Sequence, residues 1–374
     1  MNLFNRNEIR PKPLAERVNK LKVLKLAEKI EKGPIELSDE ARESVERAAE
    51  AIRRARKLGA ARILTYGAHS IKNGLGPTMA ALADEGWITH FATNGAGIIH
   101  DWEFALQAES GEDVHRYVME GQFGIWEETG RYMNLSFLVG AMEGLGYAES
   151  IAATIDRGKI TVPSFDRLRA AAEESARSDD PAALERGAAA LDLMTMAARG
   201  NLPKEGLVYD IPHPYRDYSL VWRLRRAGVT QTCHPMIGHD IIYTHPVNYP
   251  AAIGRCAERD FLAFVRSVAN LKGGIYLSVG SAVMSPMIFE KALSMARNAA
   301  AQRNETIDDF DIHVLDLAPS RWDWNGAGEP PADNPAYYLR FCKTFSRMGG
   351  RMTYTSADNA SWIPALLEEL RSRA

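Results

Sequence analysis

The chain alternates short β-rich runs with helical patterns, and this alternation constrains its fold more than any other feature. Each run ends in a small or polar residue or is directly followed by one, and residues with helical spacing come next. Six such runs occur, at 62–67, 88–93, 228–233, 274–279, 311–317 and 351–354. Strands that alternate with helices pair in parallel and are covered by helices on both faces. We therefore predict an α/β fold with a Rossmann-like, mostly parallel sheet.

The turn after the second predicted strand has the composition of a phosphate-binding turn. Residues 93–101 read Thr-Asn-Gly-Ala-Gly-Ile-Ile-His-Asp and lead into a helical pattern. Glycines let the backbone approach a ligand closely, and a helix N-terminus favours anions. His100 stands where the dinucleotide motif has its third glycine, so the motif is incomplete. Because ligands of parallel sheets bind beyond the carboxyl ends of the strands, we predict a nucleotide cofactor at that edge.

The remaining pattern predicts one α/β domain with two helical additions. Residues 1–60 are charged and amphipathic and are predicted to form an N-terminal helical extension, with Ser38 as a helix cap. Residues 61–374 form a single Rossmann-like domain in this interpretation. A helical insertion at about 110–205 includes one helix at 126–145. A second helical stretch, at 167–199, has a break at 178–181.

Composition narrows the class of ligand. Of the 374 residues, 46% are hydrophobic and 25% are charged, and the net charge is −3. No global basic field attracts nucleic acid or an acidic membrane, so a small molecule is the expected partner. The three cysteines have no paired spacing, which fits a reducing cytoplasm. No stretch has the pattern of a secretion signal or a membrane span.

Lys343 stands on a predicted helix, 336–347, among apolar residues. Ala336, Leu339 and Lys343 follow helical spacing on one face. A desolvated lysine amine could form a Schiff base with a carbonyl or imine. The alternative is a lysine whose stem packs on apolar surface while its amine stays in water, and spacing alone favours it.

Four polar residues lie within twelve positions after the third predicted strand, 228–233. They are His234, His239, Asp240 and His245. Imidazole rings beside a carboxylate could bind a divalent metal or transfer protons. Their spacing matches no compact metal motif, so we predict no metal site and interpret them as polar groups facing a substrate. His69 and His100 begin two other helices and could face the same crevice.

Several motifs follow one another in an order known from one family. Residues 68–74 form a polar turn after the first strand, and residues 93–101 follow. Asp240 and His245 then form an Asp-x-x-x-x-His run, and 274–280 is a strand that ends in glycine. Lys343 stands eleven residues before Tyr354, which begins a Tyr-x-x-Ala-Asp segment. Over roughly residues 60–370 this order resembles deoxyhypusine synthase and its bacterial homologues.

The resemblance implies a Rossmann-like fold, NAD as cofactor, a homotetramer, and transfer of an aminoalkyl group from an amine through an imine on a lysine. It implies a cofactor site formed by Ser70, Asn73, Thr93, Asn94, Gly95, Ser278, Gly280 and Asp316. Lys343 is then the imine-forming residue, with His245 or His100 as proton carrier. The substrate-binding residues are Asp240, His239 and Asp101.

The sequence departs from that family where the substrate is recognised. Ile99 and His100 replace two adjacent acids, Val283-Met284 replaces a lysine-histidine pair, and Phe341 replaces a tryptophan. A buried cation needs an acidic partner, so the loss of the acids argues against spermidine. We expect a small amine or an amino acid as substrate, and no modification of a translation factor.

A second resemblance supplies an alternative within NAD chemistry. His100-Asp101-Trp102-Glu103 is similar to the His-Asp-x-Glu run in the ornithine cyclodeaminase domain of bifunctional arginine-ornithine enzymes. An NAD-dependent amino-acid deaminase or cyclodeaminase therefore remains open. Two further alternatives are a metal-assisted hydrolase that uses the polar residues between 234 and 245, and a noncatalytic NAD-binding relative.

Overall fold

A parallel sheet of six strands forms the centre of the fold. The strands are β1 (Arg62–Tyr66), β2 (His90–Thr93), β3 (Thr230–Cys233), β4 (Ile275–Val279), β5 (Asp311–Asp316) and β6 (Arg351–Ser356). Every neighbouring pair is parallel, and the order across the sheet is β6-β5-β4-β1-β2-β3. This is the doubly wound order of dinucleotide-binding folds, in which the chain reverses its direction across the sheet between β1 and β4. All six predicted strands are present, and the predicted α/β class with a parallel sheet is confirmed.

The computed structural model describes residues 1–33 and 36–373; Pro34 and Ile35, within the predicted N-terminal extension, and Ala374 lie outside them. The chain divides into two compact units built from separate stretches. The sheet unit comprises Val23–Gly97, Arg223–His234 and Phe261–Ala374, and the helical unit comprises Met1–Lys22, Ile98–Trp222 and Pro235–Asp260. The sequence pattern instead predicts an N-terminal extension that ends near residue 60 and an insertion between about residues 110 and 205.

The inner strands of the sheet are more deeply buried than its two edge strands, β3 and β6, which are partly exposed. Every residue of β1, β2 and β4 is buried. Tyr276 of β4 stacks on Phe289 with ring centroids 4.0 Å apart. The helices of this unit are Val23–Lys32, Asp39–Lys57, Ala68–Lys72, Gly76–Asp84, Met284–Ala301, Arg340–Ser346 and Asn359–Ser372.

Local signals explain several helix ends in the sheet unit. Ser38 caps the helix Asp39–Lys57 by accepting a hydrogen bond from the Ala41 amide, as predicted. The predicted helix 336–347 is wrong, because it is divided in two. A 3-10 turn, Pro335–Tyr338, ends at Leu339, whose ψ of 68° is not helical, and a short helix begins at Arg340.

A loop side chain covers part of the outer edge of β6. The Asn325 amide group donates to the Met352 carbonyl oxygen at 2.6 Å and accepts from the Met352 amide at 2.8 Å. Both backbone groups of one residue in this edge strand are thereby satisfied.

The helical unit combines five helices with two small antiparallel sheets. Leu21–Lys22 pairs with Glu109–Ser110, and Lys159–Val162 pairs with Leu207–Asp210. The predicted break at 178–181 is present, since Asp180 caps the second helix of that stretch. The five helices are Val114–Met119, Glu127–Glu143, Tyr147–Arg157, Phe165–Ser175 and Pro181–Ala198.

Three helices begin in one unit and end in the other: Gly95–Gln107, Leu220–Ala227 and Pro250–Ala269. Short 3-10 turns occur at Arg6–Glu8, Leu14–Glu16, Arg216–Tyr218 and Ile241–Thr244. Within the described ranges, no helix is both long enough and apolar enough to cross a membrane.

Candidate cofactor site

A cavity of about 330 Å³ opens at the carboxyl ends of four strands of the sheet unit. Its walls come from the turns that follow β1, β4, β5 and β6. The lining residues are His69, Asn73, Gly280, Leu315, Asp316, Leu317, Ala357, Asp358 and Asn359. The cavity therefore lies beside the point where the strand order reverses, which is where doubly wound sheets bind ligands.

The sheet ladder continues into these turns and fixes their backbone. The amide of Gly67 donates to the Val279 carbonyl at 3.0 Å, and the amide of Gly280 donates to the Leu315 carbonyl at 2.8 Å. Gly280 has a φ of +56°, a conformation that favours glycine. The amide of Ala357 likewise donates to the Asp316 carbonyl at 3.1 Å. The mouth of the cavity is thus built on hydrogen-bonded backbone rather than on a free loop.

Two asparagines and a serine form one hydrogen-bonded chain at the cavity wall. Asn73 Nδ2 donates to Asn359 Oδ1 at 2.7 Å, and Asn359 Nδ2 donates to Ser70 Oγ at 3.2 Å. Asn73 and Asn359 line the cavity. Ser70 is fully buried. The predicted residues Ser70 and Asn73 therefore belong to one network, and Asn73 is the one that faces the cavity.

Carboxylates dominate the charge of the cavity. Asp316 Oδ1 accepts from the Ala318 amide, and Asp358 Oδ1 accepts from the Ala360 amide at the start of the last helix. Burial, followed by the nearby Lys72 charge, lowers the pKa of His69, which favours a neutral ring at neutral pH. Oxygen acceptors of this kind suit the hydroxyl groups of a ribose better than a phosphate.

Among the other predicted cofactor residues, Gly280 and Asp316 line the cavity, and those at the end of β2 do not. Thr93 is buried, and its hydroxyl donates to the Tyr66 carbonyl at 2.9 Å. Asn94 Oδ1 accepts from the Gly97 amide at 2.9 Å at the start of the helix that begins at Gly95. A Cβ on Gly97 would lie 2.3 Å from Thr93 Oγ1, so that glycine serves close packing of helix on strand. Ser278 is buried within β4.

The predicted cofactor residues do not include Ala357, Asp358 and Asn359, which also line the cavity. They directly follow the last predicted strand, which is the same signal that selected Asp316 after β5.

Lys343 does not line the cavity. Its Nζ forms an ion pair with Glu329 and lies 4.0 Å from the centroid of the Tyr337 ring. Hydrogen bonds from Lys343 and Arg347 lower the pKa of Glu329. A carboxylate partner stabilises the ammonium form, whereas imine formation requires the free amine.

The histidines between 234 and 245 are divided between the two units. His234 is buried in the sheet unit, where Thr232 Oγ1 lies 3.0 Å from its Nε2, and burial lowers the pKa of His234 to about 3. His239, Asp240 and His245 belong to the helical unit. In the part of the chain that the structure describes, no group of three or more histidine, cysteine or acidic residues is arranged to hold a metal ion.

Both ring nitrogens of His245 are engaged. Its Nδ1 accepts from the Val247 amide at 3.1 Å, so its Nε2 donates to Glu127 Oε2, also at 3.1 Å. Hydrogen bonds from His245 and Arg131 outweigh burial and lower the pKa of Glu127 to about 2. His245 would have to give up one of these bonds to carry a proton.

Asp240 and Asp101 differ in how their oxygens are used. Asp240 Oδ2 is buried without a hydrogen-bond partner, and burial raises the pKa of Asp240 to about 6. Asp101 is fully buried and accepts from the Ser219 hydroxyl and from the amides of Leu220 and Val221. Asp240 thus has acceptor capacity left for a substrate, while Asp101 holds the start of a helix.

No protein-family model matches the chain, and no curated protein is significantly similar to it. Matches among solved structures include ArgZ, an arginine dihydrolase from the cyanobacterial ornithine-ammonia cycle. That match has 12% identity and a TM-score of 0.40, and covers 88% of this chain and 33% of ArgZ. A second match is the ternary complex of AgrE with ornithine and NAD+, with 12% identity and a TM-score of 0.43, covering 91% of this chain and 34% of AgrE.

A third match is a conserved LOR/SDH-type protein from Methanococcus maripaludis S2. It has 12% identity and a TM-score of 0.41, and the match covers 91% of this chain and 70% of that one. The chain spans about a third of the length of the ArgZ and AgrE chains.

These matches correct the family resemblance stated above. The matches described here are with arginine dihydrolase, AgrE and LOR/SDH proteins rather than with deoxyhypusine synthases, and the predicted membership of that family is wrong. Ile99 is buried and apolar, and neither Ile99 nor His100 supplies the carboxylates that would hold a polyamine. The prediction of aminoalkyl transfer through a lysine imine came from that resemblance, and the matches described here do not support it.

Proposed function

We propose that this chain is an NAD-dependent enzyme that oxidises the amine-bearing carbon of an amino acid, as in a deaminase or cyclodeaminase reaction. The observation that carries the proposal is the cavity beside the β1/β4 reversal of a doubly wound parallel sheet. Its position is the one at which such sheets bind dinucleotides.

The residues present fit a dinucleotide. Asp316 and Asp358 offer carboxylate oxygens to ribose hydroxyls, and Asn73 and Asn359 add amide groups to the same wall. Gly67 and Gly280 have no side chains, so the turns after β1 and β4 pack directly against each other beside this wall. When bound, NAD+ supplies the acceptor for a hydride.

The chain's own contribution to substrate binding is assigned to Asp240. An amino acid carries an ammonium group that needs an acidic partner, and Asp240 Oδ2 is a buried acceptor without one. A carboxylate whose pKa is raised toward 6 is also a better base than an exposed aspartate. Asp240 is therefore the carboxylate of the helical unit best suited to bind the ammonium group of a substrate.

The first test is NAD binding by isothermal titration calorimetry, after any copurified nucleotide has been removed. Saturation at a hundred times Kd should stabilise the fold by about 2.7 kcal/mol. Ala357→Leu should lower affinity by at least tenfold, because it fills the cavity. Ala360→Leu, three residues further along and outside the cavity lining, is the matched control and should leave affinity within twofold.

A second variant tests the carboxylate without disturbing the helix. Asp358 caps the helix Asn359–Ser372, and asparagine caps helices equally well. Asp358→Asn should therefore fold normally and bind NAD about tenfold more weakly, as expected for the loss of a charge-assisted hydrogen bond of roughly 1.5 kcal/mol. Unchanged affinity in both Ala357→Leu and Asp358→Asn would contradict the assignment of the cavity.

The reaction is tested by following NADH formation with a panel of amino acids that begins with ornithine and arginine. Asp240→Asn should raise KM and lower kcat for the substrate identified. NAD binding without turnover of any amino acid would contradict the enzymatic part of the proposal and favour a noncatalytic NAD-binding protein.

A further inference from the structure

Acids are unevenly distributed along the edge of the sheet where the cavity opens. Of the six strands, only β5 and β6 have an acid at their last residue or within the next two, and these acids are Asp316 and Asp358. Both line the cavity. The other four strands carry no carboxylate at these positions, so a ligand group that needs an acidic acceptor at this edge finds it only beside β5 and β6.

Each of these two carboxylates keeps one oxygen for a ligand. Asp316 Oδ1 accepts from the Ala318 amide at 3.2 Å, and Asp358 Oδ1 accepts from the Ala360 amide at 2.9 Å, whereas no described residue donates to Oδ2 of either side chain. The two acids come from neighbouring strand ends, because Asp316 pairs with Ser356 of β6 and Asp358 follows two residues later. Two such acceptors suit a pair of adjacent hydroxyls, as on a ribose.

The position that usually binds the adenosine ribose has no acid in this chain. In the usual dinucleotide fold, an acid about twenty residues after the first glycine turn accepts from the 2′-hydroxyl of that ribose. The corresponding point here is the end of β2, where Asn94 stands. Asn94 Oδ1 accepts from the Gly97 amide at 2.9 Å, and the buried Thr93 hydroxyl donates to the Tyr66 carbonyl oxygen. Neither residue offers a carboxylate to a ribose.

The size and the apolar wall of the cavity suit one nucleoside. Its volume of about 330 Å³ is near the lower end of the range for small-molecule pockets, roughly 300–1,000 Å³. Leu315, Leu317 and Ala357 form the apolar part of the lining, and Leu317 is 72% exposed. A flat base that covers Leu317 removes this apolar surface from water. Adenine is uncharged, whereas the nicotinamide ring of NAD+ carries a charge that is costly to bury against leucine.

We propose that the cavity binds the adenosine half of NAD, with the 2′- and 3′-hydroxyls donating to Asp316 and Asp358 and the adenine packing on Leu317, and that it excludes NADP. The proposal rests on the function proposed above and names the half of the cofactor that the cavity holds. The adenosine then lies at β5 and β6, on the opposite side of the sheet from its usual place beside β2.

The exclusion of NADP follows from charge. NADP carries a phosphate on the 2′-oxygen of its adenosine ribose, so Asp316 and Asp358 would face an anion where NAD presents a hydroxyl donor. NADP sites accommodate this phosphate with an arginine. None of the residues that line the cavity is an arginine or a lysine.

The first experiment compares NAD with NADP on the full chain, by isothermal titration calorimetry after copurified nucleotide has been removed. Like charges brought together without a counter-ion strongly disfavour binding, so NADP should bind at least about a hundredfold more weakly than NAD. A preference for NAD of less than about tenfold would overturn the proposal. This comparison uses only the wild-type protein, so it decides even if a variant fails to fold.

The two acids are then changed one at a time. Asp316→Asn and Asp358→Asn each keep an Oδ1 acceptor for the backbone amide and remove the charge. The ratio of the Kd for NADP to the Kd for NAD should shrink at least about tenfold in each variant, because NAD loses a charge-assisted bond and NADP loses a repulsion. An unchanged ratio in both variants would overturn the proposal.

Asp308→Asn is the matched control for these variants. It removes the same charge from an exposed side chain that precedes β5, at the opposite edge of the sheet from Asp316. The ratio of the two Kd values should stay within about twofold of wild type, because the charge removed lies far from the cavity. A ratio that shrinks as much in this control as in Asp316→Asn would show that net charge, rather than the cavity, excludes NADP.

The last experiment identifies the half of the cofactor. ADP contains the adenosine half and nicotinamide mononucleotide contains the other, and each is titrated into wild type and Asp358→Asn. ADP should lose about tenfold in affinity in the variant, as NAD does, and the mononucleotide should stay within about twofold. The reverse result would place the nicotinamide half in the cavity and overturn the proposal.

The two proposals fail in different ways. A wild-type protein that binds no NAD would contradict the proposed function and this assignment together. Binding of NAD without discrimination against NADP would contradict the placement of the adenosine half and leave NAD as the cofactor.

Discussion

The carbonyl oxygen of Gly280 lies 2.0 Å from the position that a Cβ atom on Gly67 would occupy. Gly67 has ordinary extended backbone, with φ −84° and ψ 165°, so its own conformation does not require glycine. The requirement comes from the neighbouring turn. The turns after β1 and β4 meet backbone to backbone at the point where the strand order reverses.

Gly67→Ala should therefore destabilise the protein and weaken NAD binding together. The added methyl group forces the Gly280 backbone away, and overpacking of this kind costs about 1–3 kcal/mol. The free energy of unfolding from urea titration and the Kd for NAD measure the two effects.

Gly254→Ala is the matched control for Gly67→Ala. It makes the same chemical change in the helix Pro250–Ala269, where an added Cβ meets nothing within 4 Å. Alanine is the better helix former, so this variant should gain roughly 0.5–1 kcal/mol. A Gly67→Ala protein as stable as this control would contradict the close approach of the two turns.

Arg17→Met should be among the most destabilising single changes in the chain. It leaves Glu103 buried and uncompensated, which costs about 3–5 kcal/mol. The double variant Arg17→Met/Glu103→Leu should recover part of that loss, because no buried charge remains. Urea unfolding of both variants gives the comparison, and a loss below about 1 kcal/mol in the single variant would show that Arg17 is not buried against Glu103.

Two buried histidines should make the protein sensitive to acid. Thr232 Oγ1 lies 2.9 Å from His90 Nε2 and 3.0 Å from His234 Nε2, and burial lowers the pKa of each ring to about 3. The unfolded state therefore binds more protons than the folded state between about pH 6.5 and 3. The stability that these rings contribute is complete above about pH 6.5 and is lost as the pH falls.

The variant His234→Gln removes the titration of His234 and leaves that of His90, so its comparison with wild type measures the contribution of His234 alone. The slope of the unfolding free energy against pH should fall by about 1.4 kcal/mol per pH unit within that window. Asp101 and Asp240, whose pKa values burial raises to about 6, act in the opposite direction, but they are the same in both proteins and cancel in the difference. Parallel pH profiles for wild type and variant would show that His234 titrates normally.

Asn325→Ala should lower stability by about 1–2 kcal/mol, because it removes two hydrogen bonds to Met352. Asn325→Asp keeps the acceptor and loses the donor, so it should cost roughly half as much. Thermal and urea unfolding measure both. Equal stability of all three proteins would mean that water replaces the amide group without loss.

The sheet could be predicted from the sequence because each buried parallel strand is a compact apolar run bounded by turn residues, as at Ile275–Val279. The cavity could be predicted only in part. Asp316 and Gly280 follow strands directly, whereas Asn359 belongs to the site through hydrogen bonds to Asn73 and Ser70, which are remote in sequence.

Other predictions failed for reasons that periodicity does not show. The helix through Leu339 is interrupted by the backbone angle of that one residue. Lys343 fits an apolar stripe by spacing, but its partner Glu329 comes from the preceding loop. The family resemblance relied on the order of short motifs, which a shared strand-turn-helix architecture can produce without common chemistry.

The bonds between Asn325 and Met352 also bear on how copies of this chain can associate. Asn325 offers one acceptor and one donor to the free side of β6, as a neighbouring strand would. An incoming strand from another copy would have to displace this amide before it could pair in register at Met352. Homo-oligomers are therefore more readily built from helix surfaces than by extending the sheet beyond β6, and substitutions that release Asn325 would expose a template for strand addition.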